Sequence, residues 1–348
     1  MNDEVKKAED TLNVKSIFLP IVLGLISFFF LLVRDKNITL NNLLLIRNIK
    51  IEYLILSILL IFIRDFLYIL RIRLLVGKSI SYLNCFIISA LWEFASAVTP
   101  SAVGGGFVAV LLFLHEGIPL GSAIAYVMVT ATFDNYFFLL LSPVGYLFSG
   151  LQAFSISLIY FVSYVLIFVY STIMTCSVFI KPEIFRFIIV NVTRIKFLRR
   201  FREGGLKSAQ EIVNSSKILK RYGLKFWCLI LLITLAAWIS RYLILNSLIA
   251  GFIDFPLSQH FEILCKHLVL WVTMLVSPTP GGVGFVEYFF NDFYASTLKD
   301  YTIIVTMIWR LLTFYLYLFI GVIILPGWIK TFKNRKLKNK ADNSDISQ

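Results

Sequence analysis

Two short interruptions rich in glycine and proline divide otherwise apolar sequence, and they constrain the fold more than any other feature. They cover residues 99–106 and 279–284, and each places a Thr-Pro pair just ahead of a Val-Gly pair, 180 residues apart in the chain. In the hydrocarbon core, unpaired backbone groups are tolerated only where protein or a water-filled cavity surrounds them. The repeated interruption therefore predicts a transport or binding site between two internal repeats.

The composition is that of a polytopic integral membrane protein. Hydrophobic residues make up 59% of the chain and charged residues only 15%, against about 25% charged residues in soluble proteins. Eight apolar stretches approach the 20 or so residues that a spanning helix needs. They cover residues 16–33, 51–70, 80–98, 123–148, 154–180, 226–249, 261–276 and 301–325. The apolar pieces that follow the interruptions, 107–114 and 283–294, are too short to span comfortably.

Basic residues are concentrated in two segments. Residues 181–225 contain 12 Lys/Arg and 3 Glu, residues 329–348 contain 6 Lys/Arg and 2 Asp, and together these account for the whole net charge of +13. The positive-inside rule places both segments, and a short loop carrying Arg71, Arg73 and Lys78, in the cytoplasm of a multi-pass protein of the cell (inner) membrane. Nucleic acid is not expected as a partner, because these residues flank membrane spans without an aromatic-basic recognition motif.

These patterns divide the chain into five parts. A polar N-terminal tail (1–15) is followed by a first membrane half (16–180), a basic cytoplasmic loop (181–225), a second membrane half (226–328) and a basic cytoplasmic tail (329–348). Apolar residues recur every three or four positions from Ile184 to Leu198, which is typical of an amphipathic helix on a membrane surface. A solvated connector between the two halves is an equally good interpretation of the loop.

Charge parity predicts the relation between the halves. If both basic loops that flank the first interruption are cytoplasmic, the segment around Pro100 begins from the cytoplasmic side, whereas the segment around Pro280 follows one further crossing and begins from the other side. The predicted fold is therefore an all-α helical bundle with two inverted repeats. Each repeat contains a Gly/Pro-broken hairpin that is either re-entrant or fully spanning.

Several ionisable residues lie at membrane depth, where a charge costs about 2.5 to 3.5 kcal/mol or more and needs a partner or a wet cavity. Asp134 lies about mid-span, and Arg310 occupies the corresponding position of the second unit, so the two form a predicted pair of opposite charge for a gate or a headgroup clamp. Structural ion pairing is the alternative for both. Glu93 and Glu287 lie within about two helical turns of the interruptions and could carry a proton or bind a cationic group.

Other deep charges favour structural interpretations. Arg241 and the Arg64-Asp65 doublet are expected to form structural ion pairs, and adjacent residues on a helix point about 100° apart, so the doublet should not face one partner together. Lys266 and His267 are expected to reach an interface with their long side chains. Glu287 could also simply stabilise the N-terminus of the short helix that it begins.

The interruptions themselves supply the remaining candidate residues for binding or gating. Helix N-termini that follow glycines present free amides and a partial positive charge, which suits a phosphate or another anion. With Glu93, Asp134, Glu287 and Arg310, the candidates are Thr99, Pro100, Gly104, Gly105, Thr279, Pro280, Gly281, Gly282 and Gly284. No catalytic residue, metal site or cofactor is predicted, because hydrolase, zinc-protease and phosphate-loop motifs are missing and the four cysteines lie singly.

The second interruption resembles a known family. The run Ser277-Pro-Thr-Pro-Gly-Gly-Val-Gly-Phe-Val-Glu287, followed by Trp309-Arg-Leu-Leu-Thr-Phe-Tyr-Leu316, closely resembles paired signatures of the lysylphosphatidylglycerol synthetase transmembrane region, a flippase-like membrane family. The segment from Thr99 to Gly105, with Gly117-Ile118-Pro119, is similar to one subgroup of that family. Where many members have an arginine and a glutamate, this chain has Ser101-Ala102 and Gly105, so no headgroup contact is transferred to those positions.

The resemblance implies an inverted-repeat bundle that moves a lipid between leaflets, either an aminoacylated phospholipid or a polyprenyl-linked sugar. Members called synthetases owe aminoacyl transfer to a soluble C-terminal domain, and here a 20-residue basic tail follows Trp328, so no enzyme activity is expected. Two alternatives remain open: an embedded glycosyl or lipid-headgroup transferase, and a non-transporting partner of a separate synthetase. The expected partners are membrane lipids, with a second copy of the chain and a separate lipid-modifying enzyme as further options.

Overall fold

A computed structural model of the chain describes residues 44–99, 101–151, 153–181, 183–192, 194, 206, 210, 213–217, 219–277, 279 and 281–345. The predicted N-terminal tail and first span, and most of the central loop, lie outside these ranges. The described residues form helices and no strand, as expected for an all-α membrane protein. Within these described ranges, five segments are long and apolar enough to cross a membrane, namely residues 51–79, 120–148, 154–180, 224–252 and 285–331.

Eleven helices are numbered here along the described chain. The first membrane half contains α1 (Ile51–Val76), α2 (Tyr82–Val98), α3 (Ser101–His115), α4 (Leu120–Phe148) and α5 (Phe154–Thr175), and a short α6 (Glu183–Val192) follows. The second half contains α7 (Leu224–Phe252), α8 (Leu257–Met274), α9 (Phe285–Leu298), α10 (Thr302–Arg310) and α11 (Leu316–Asp345). A π-helical turn, Leu311–Tyr315, joins α10 to α11 without a break.

The antiparallel pair α1 and α7 defines the two ends of the bundle. The Lys50 N–H donates to the Gly251 carbonyl at 2.8 Å, and the Ser247 hydroxyl donates to the Tyr53 carbonyl at 2.9 Å, so α1 begins where α7 ends. We call this the Lys50 end. The other is the Lys78 end, where α1 finishes and where Lys220 donates to the carbonyl of Ile180, in the π-helical turn (Cys176–Ile180) that follows α5.

The first interruption lies at the tip of a hairpin formed by α2 and α3. The Asn84 amide at the start of α2 donates to the Glu116 carboxylate, just beyond α3, at 2.6 Å. Near the tip, a side chain added to Gly105 would lie 2.0 Å from the Ser96 hydroxyl, so the two helices touch through glycine. Both ends of this hairpin therefore lie at the Lys78 end, because Asn84 comes soon after the Lys78 turn.

The second interruption lies between α8 and α9. The Tyr294 hydroxyl, near the end of α9, donates to the Ile263 carbonyl near the start of α8 at 3.3 Å. Tyr301, which follows α9, accepts from the Asn48 amide, just before α1, at 3.3 Å. This hairpin opens at the Lys50 end, opposite to the first. A full inverted repeat stays a prediction, as does the depth that either hairpin reaches in the membrane.

The surface and the central loop follow the sequence pattern. Large apolar side chains on α1 and α5, such as Phe62, Phe66, Phe154 and Phe161, are exposed, which suits contact with lipid chains. The helix predicted from Ile184 is present as α6, which ends at Val192. Most of the remaining loop, including the continuation of the predicted helix to Leu198, lies outside the described residues.

Candidate functional site

Helix α1 supplies the first charged residues of the site. Arg64, Tyr68 and Arg71 follow one another at spacings of four and three, so they share one face of the helix, and all three are buried. The sequence interpretation of Arg71 as part of a cytoplasmic loop was wrong. No helix breaker precedes Gly77, which has a positive φ of 64°, so α1 continues through Val76 and carries Arg71 into the bundle.

Arg71 binds Asp134 of α4 with two parallel contacts. Its Nη1 lies 2.6 Å from Oδ1 and its Nη2 lies 3.2 Å from Oδ2. The Trp238 indole N–H on α7 also donates to Asp134 Oδ1 at 2.8 Å, and Arg71 Nη1 donates to the Thr234 hydroxyl at 3.1 Å. Bidentate arginine–carboxylate pairs are the strongest and most directional ion pairs in proteins. Three helices are therefore fixed to one another by this pair.

Arg64 and Asp65 form a second pair, and they share a partner on α11. Arg64 Nη2 lies 2.7 Å from Asp65 Oδ1, while the Tyr317 hydroxyl contacts both carboxylate oxygens at 2.6 and 2.8 Å. The Arg64 guanidinium lies 4.6 Å from the centre of the Tyr317 ring. The expectation that the doublet cannot face one partner was wrong, because the long arginine side chain bends back over the helix to reach it.

Glu93 of α2 binds Arg241 of α7. Arg241 Nη1 donates to Glu93 Oε1 at 2.9 Å, which joins the first hairpin to the second half of the chain. The Arg241 guanidinium also lies over the Trp271 ring of α8, 4.6 Å from its centre, and 5.4 Å from that of Trp238. Cation–π contacts of this kind gain strength where water is excluded.

Arg310 and Glu287 form the fourth pair, directly at the second interruption. Arg310 Nε lies 2.9 Å from Glu287 Oε1 as an ion pair without hydrogen-bond alignment, and both Nη atoms donate to the Gly281 carbonyl at 3.3 Å. Glu287 Oε2 accepts from the Gly284 N–H at 2.7 Å, which caps the N-terminus of α9. Glu287 thus stabilises the N-terminus of α9, as one interpretation of the sequence expects, and also pairs with Arg310, whereas its role as a proton carrier or cation-binding group stays a prediction.

The two interruptions contact each other at this point. A side chain added to Gly281 would lie 2.1 Å from the Phe314 ring and 2.9 Å from the Ala97 carbonyl, two residues before Thr99. Val98 and Val283, one beside each interruption, belong to the same buried cluster as Phe314. The π-helical turn that begins after Arg310 contains Phe314, and such turns are frequent at functional sites.

The predicted pairing of Asp134 with Arg310 was wrong. Asp134 binds Arg71 and Arg310 binds Glu287, so each charge finds an opposite charge within its own half of the sequence. The physical reason is proximity. The Asp134 carboxylate lies beside the guanidinium group of Arg71, which α1 places at the same level of the bundle. Arg310 lies instead at the second interruption, where it donates to the Gly281 carbonyl.

The four pairs balance in charge, and they differ in access. Four arginines and four carboxylates together have no net charge. The arginine side chains are 0–11% exposed and the carboxylate side chains 21–23% exposed. A visiting group therefore meets carboxylate oxygens first, with the guanidinium ions behind them. This geometry offers hydrogen-bond acceptors without an excess of negative charge.

The smaller predicted residues line the interruptions. The Thr99 hydroxyl donates to the Ala95 carbonyl and ends α2, and the Thr279 hydroxyl donates to the Val283 carbonyl across the second turn. Gly282 has a positive φ of 69° and lies against Val286 and Met274. Gly104 lies in α3, and Pro100 and Pro280 lie outside the described residues.

Lys266 and His267 lie inside the bundle rather than at an interface, so that expectation was wrong. Lys266 is 8% exposed and binds Glu262 one turn earlier at 2.7 Å, and His267 is 1% exposed between the rings of Tyr242 and Trp309. Within the described ranges, no group of three or more His, Cys, Asp or Glu side chains is arranged to hold a metal ion.

Sequence reasoning missed Tyr68, Arg71, Tyr317 and Trp238 as members of the site. The first two carried a signal, since a tyrosine and an arginine follow Arg64 at helical spacing within a continuous apolar stretch. Tyr317 and Trp238 carried none, because aromatic residues are common throughout this chain.

Comparison with known proteins identifies relatives. A family model described as the lysylphosphatidylglycerol synthase transmembrane region matches residues 12–321. A UPF0104 membrane protein of Archaeoglobus fulgidus is 25% identical over 283 residues, covering 74% of this chain and 80% of the relative. A UPF0104 membrane protein of Methanocaldococcus jannaschii is 29% identical over 285 residues, covering 76% and 80%. No solved structure matches the chain.

Proposed function

Since the chain belongs to the lysylphosphatidylglycerol synthase transmembrane-region family, we propose that it moves the polar headgroup of a membrane lipid between leaflets. The headgroup belongs to an aminoacylated phospholipid or to a polyprenyl-linked sugar. The protein acts as a transporter and not as an enzyme, in the inner membrane, with its basic loop and C-terminal tail in the cytoplasm.

The observation that carries the proposal is the set of four buried arginine–carboxylate pairs. Charged side chains at membrane depth are expensive and generally mark substrate or ion pathways. Buried ion pairs are also a poor source of stability, because well-packed apolar residues of similar volume do as well or better. Eight ionised side chains in so apolar a chain are therefore better explained by a passing polar group than by folding.

The contact between the two interruptions supports a central location for the site. At the interruptions, the Gly281 carbonyl accepts from Arg310, which pairs with Glu287, and the Ala97 carbonyl lies beside Gly281. One hairpin opens at each end of the bundle, so a headgroup that enters from either end reaches the same place. The guanidinium and carboxylate groups exchange hydrogen bonds with the headgroup in turn, while the acyl chains stay in lipid.

Leaflet exchange in reconstituted vesicles tests the proposal. Purified protein is inserted into vesicles that contain lipid extracted from the source membrane with a trace of headgroup-labelled lipid, and loss of label to a membrane-impermeant quencher is followed. Exchange should be faster with wild-type protein than in empty vesicles, and slower by tenfold or more with Arg310→Ala or Glu287→Gln. Asp254→Asn, which changes a carboxylate 80% exposed at the Lys50 end, is the matched control and should behave as wild type.

Three other results bear on the proposal, and the first and third of them point to the alternative functions. Formation of a new lipid product from labelled donors by purified protein would identify an embedded transferase. Unchanged exchange in both site variants would remove Arg310 and Glu287 from the mechanism. Absence of any exchange, together with a stable complex with a lipid-modifying enzyme, would instead identify a non-transporting partner.

A further inference from the structure

A cluster of buried polar groups lies between α7 and α8, beside the Glu93–Arg241 pair. Arg241 and Tyr242 are adjacent on α7, and His267 and Trp271 lie one turn apart on α8. The His267 ring is 4.5 Å from that of Tyr242, and the Arg241 guanidinium is 4.6 Å from the centre of the Trp271 ring. We call these four residues the α7–α8 cluster.

The α7–α8 cluster contains hydrogen-bonding atoms without partners among the described residues. They are Arg241 Nε, the Tyr242 hydroxyl, both ring nitrogens of His267 and Trp271 Nε1. The backbone of Tyr242 lies near the His267 ring but does not form a hydrogen bond of acceptable geometry. Buried polar atoms in native proteins are nearly always paired, so five unpaired atoms in one place indicate a group that binds there.

The chemistry of these atoms restricts what can bind. Arginine and indole N–H groups donate, a tyrosine hydroxyl donates and accepts, and a neutral imidazole has one donor and one acceptor. The Arg241 charge is already balanced by Glu93 at 2.9 Å, so the cluster has no net charge to offset a phosphate or an ammonium group. The aromatic rings of Trp238 and Trp271 also provide flat apolar walls.

A cavity lies at the Lys50 end, one helical turn of α8 from the cluster. This cavity of about 290 Å³ lies between the ends of α7 and α9 and the start of α8, and Gln259, Glu262, Ser296 and Thr297 line it. Its lining includes Ile263, which lies one helical turn from His267 and two from Trp271 on the same side of α8. Three of the four polar side chains that line this cavity are uncharged hydrogen-bonding groups.

We propose that the α7–α8 cluster binds an uncharged polyhydroxyl headgroup, such as the sugar of a glycolipid. This inference rests on the proposed lipid-transport function and names the class of cargo. Sugar hydroxyls both donate and accept, so they satisfy the mixed set of unpaired atoms. The apolar faces of a sugar ring pack against the tryptophans.

Titration calorimetry on the full-length protein in phosphatidylcholine nanodiscs tests the proposal. The two probes are dioctanoyl glucosyl-diacylglycerol and dioctanoyl phosphatidylglycerol, which share acyl chains and differ in headgroup charge. Wild-type protein should bind the glucosyl lipid at least tenfold more tightly. Tyr242→Phe and Trp271→Phe should each weaken that binding about tenfold, the effect of losing one neutral hydrogen bond. Trp227→Phe, in an aromatic cluster with Phe133 and Phe179, should leave the binding unchanged.

Thermal unfolding without the probe separates binding from a structural role. Because Tyr242→Phe keeps the ring and breaks no hydrogen bond within the described residues, it should unfold at the wild-type temperature. The proposal is overturned by equal affinity for the two lipids, by unchanged glucosyl-lipid binding in both variants, or by a lower unfolding temperature of lipid-free Tyr242→Phe. The last result would mean that the atoms already have partners, such as internal water.

Failure of this inference differs from failure of lipid transport. Leaflet exchange of the glucosyl lipid that is unaffected by Tyr242→Phe would retain the transport function and reject the sugar site. Tight glucosyl-lipid binding that depends on the cluster, without leaflet exchange of any lipid, would retain the site and reject transport.

Discussion

The pair formed by Arg71 and Asp134 gives the sharpest stability prediction. The side chains are 5% and 23% exposed and meet through two contacts, with Trp238 as a further donor to the carboxylate. Three changes are compared: Arg71→Met, Asp134→Asn and the double variant. Each single change leaves the other partner buried, whereas the double change removes both charges and keeps the approximate volume.

The expected magnitudes follow from burial. Breaking a buried ion pair by removing one partner costs about 3 to 5 kcal/mol, because an uncompensated charge remains. The double variant should cost less than the sum of the two single changes by about 2 kcal/mol or more, since it leaves no unpaired charge. The amide oxygen that Asp134→Asn introduces would still accept from the Trp238 indole in the double variant, so that hydrogen bond is retained.

The measurement is the free energy of unfolding by denaturant titration in mixed micelles. Asp254→Asn serves as the control, because its carboxylate binds Lys50 at an exposed position and exposed pairs contribute little. The prediction is contradicted if each single variant loses less than about 1 kcal/mol of unfolding free energy and the double variant loses the sum of the two. That result would mean that water reaches the pair and that Arg71 is not desolvated.

Three further predictions concern backbone and side-chain geometry. Gly281→Ala should lower the unfolding temperature more than Gly150→Ala: both glycines have positive φ, which costs about 1 to 2 kcal/mol for alanine, but only Gly281 abuts Phe314 and the Ala97 carbonyl. Equal losses would contradict the contact between the interruptions. Tyr317→Phe should lower the free energy of unfolding by about 1.5 to 3 kcal/mol, because the hydroxyl donates to the ionised, partly buried carboxylate of Asp65; no loss in a denaturant titration would contradict this. Arg310→Lys should slow leaflet exchange despite keeping the charge, because a single ammonium lacks the separate Nε and Nη groups with which arginine contacts Glu287 and the Gly281 carbonyl; wild-type exchange would contradict this prediction.

Much of the fold was predictable, because helical spans depend on length and apolarity alone. The positions of α4, α5 and α7 follow from runs of 20 or more apolar residues. The end of α1 was less predictable, since Arg71, Arg73 and Lys78 are typical of a loop outside the membrane. The charge of Arg71 is compensated by the Asp134 carboxylate, 63 residues later in the chain. The sequence around Arg71 does not indicate this partner.

The site was predictable only in part, for the same reason. Glu93, Glu287 and Arg310 were found because they lie near the interruptions or at membrane depth. Their partners are set by packing between helices, so Asp134 was matched with the wrong arginine and His267 was placed at an interface. The sequence alone does not distinguish between possible ion-pair partners at similar depth in the membrane. The packing of the helices determines which opposite charges form a pair.

A reversible cross-link between the two interruptions tests whether the lipid headgroup passes where they meet. Val98→Cys and Val283→Cys, combined in one chain, place thiols in the buried cluster shared by the two hairpins. Leaflet exchange in reconstituted vesicles is measured before oxidation, after oxidation and after reduction, with each single variant as a control. Oxidation should stop exchange in the double variant alone, and reduction should restore it. Full cross-linking with unchanged exchange would mean that the headgroup does not pass between the interruptions.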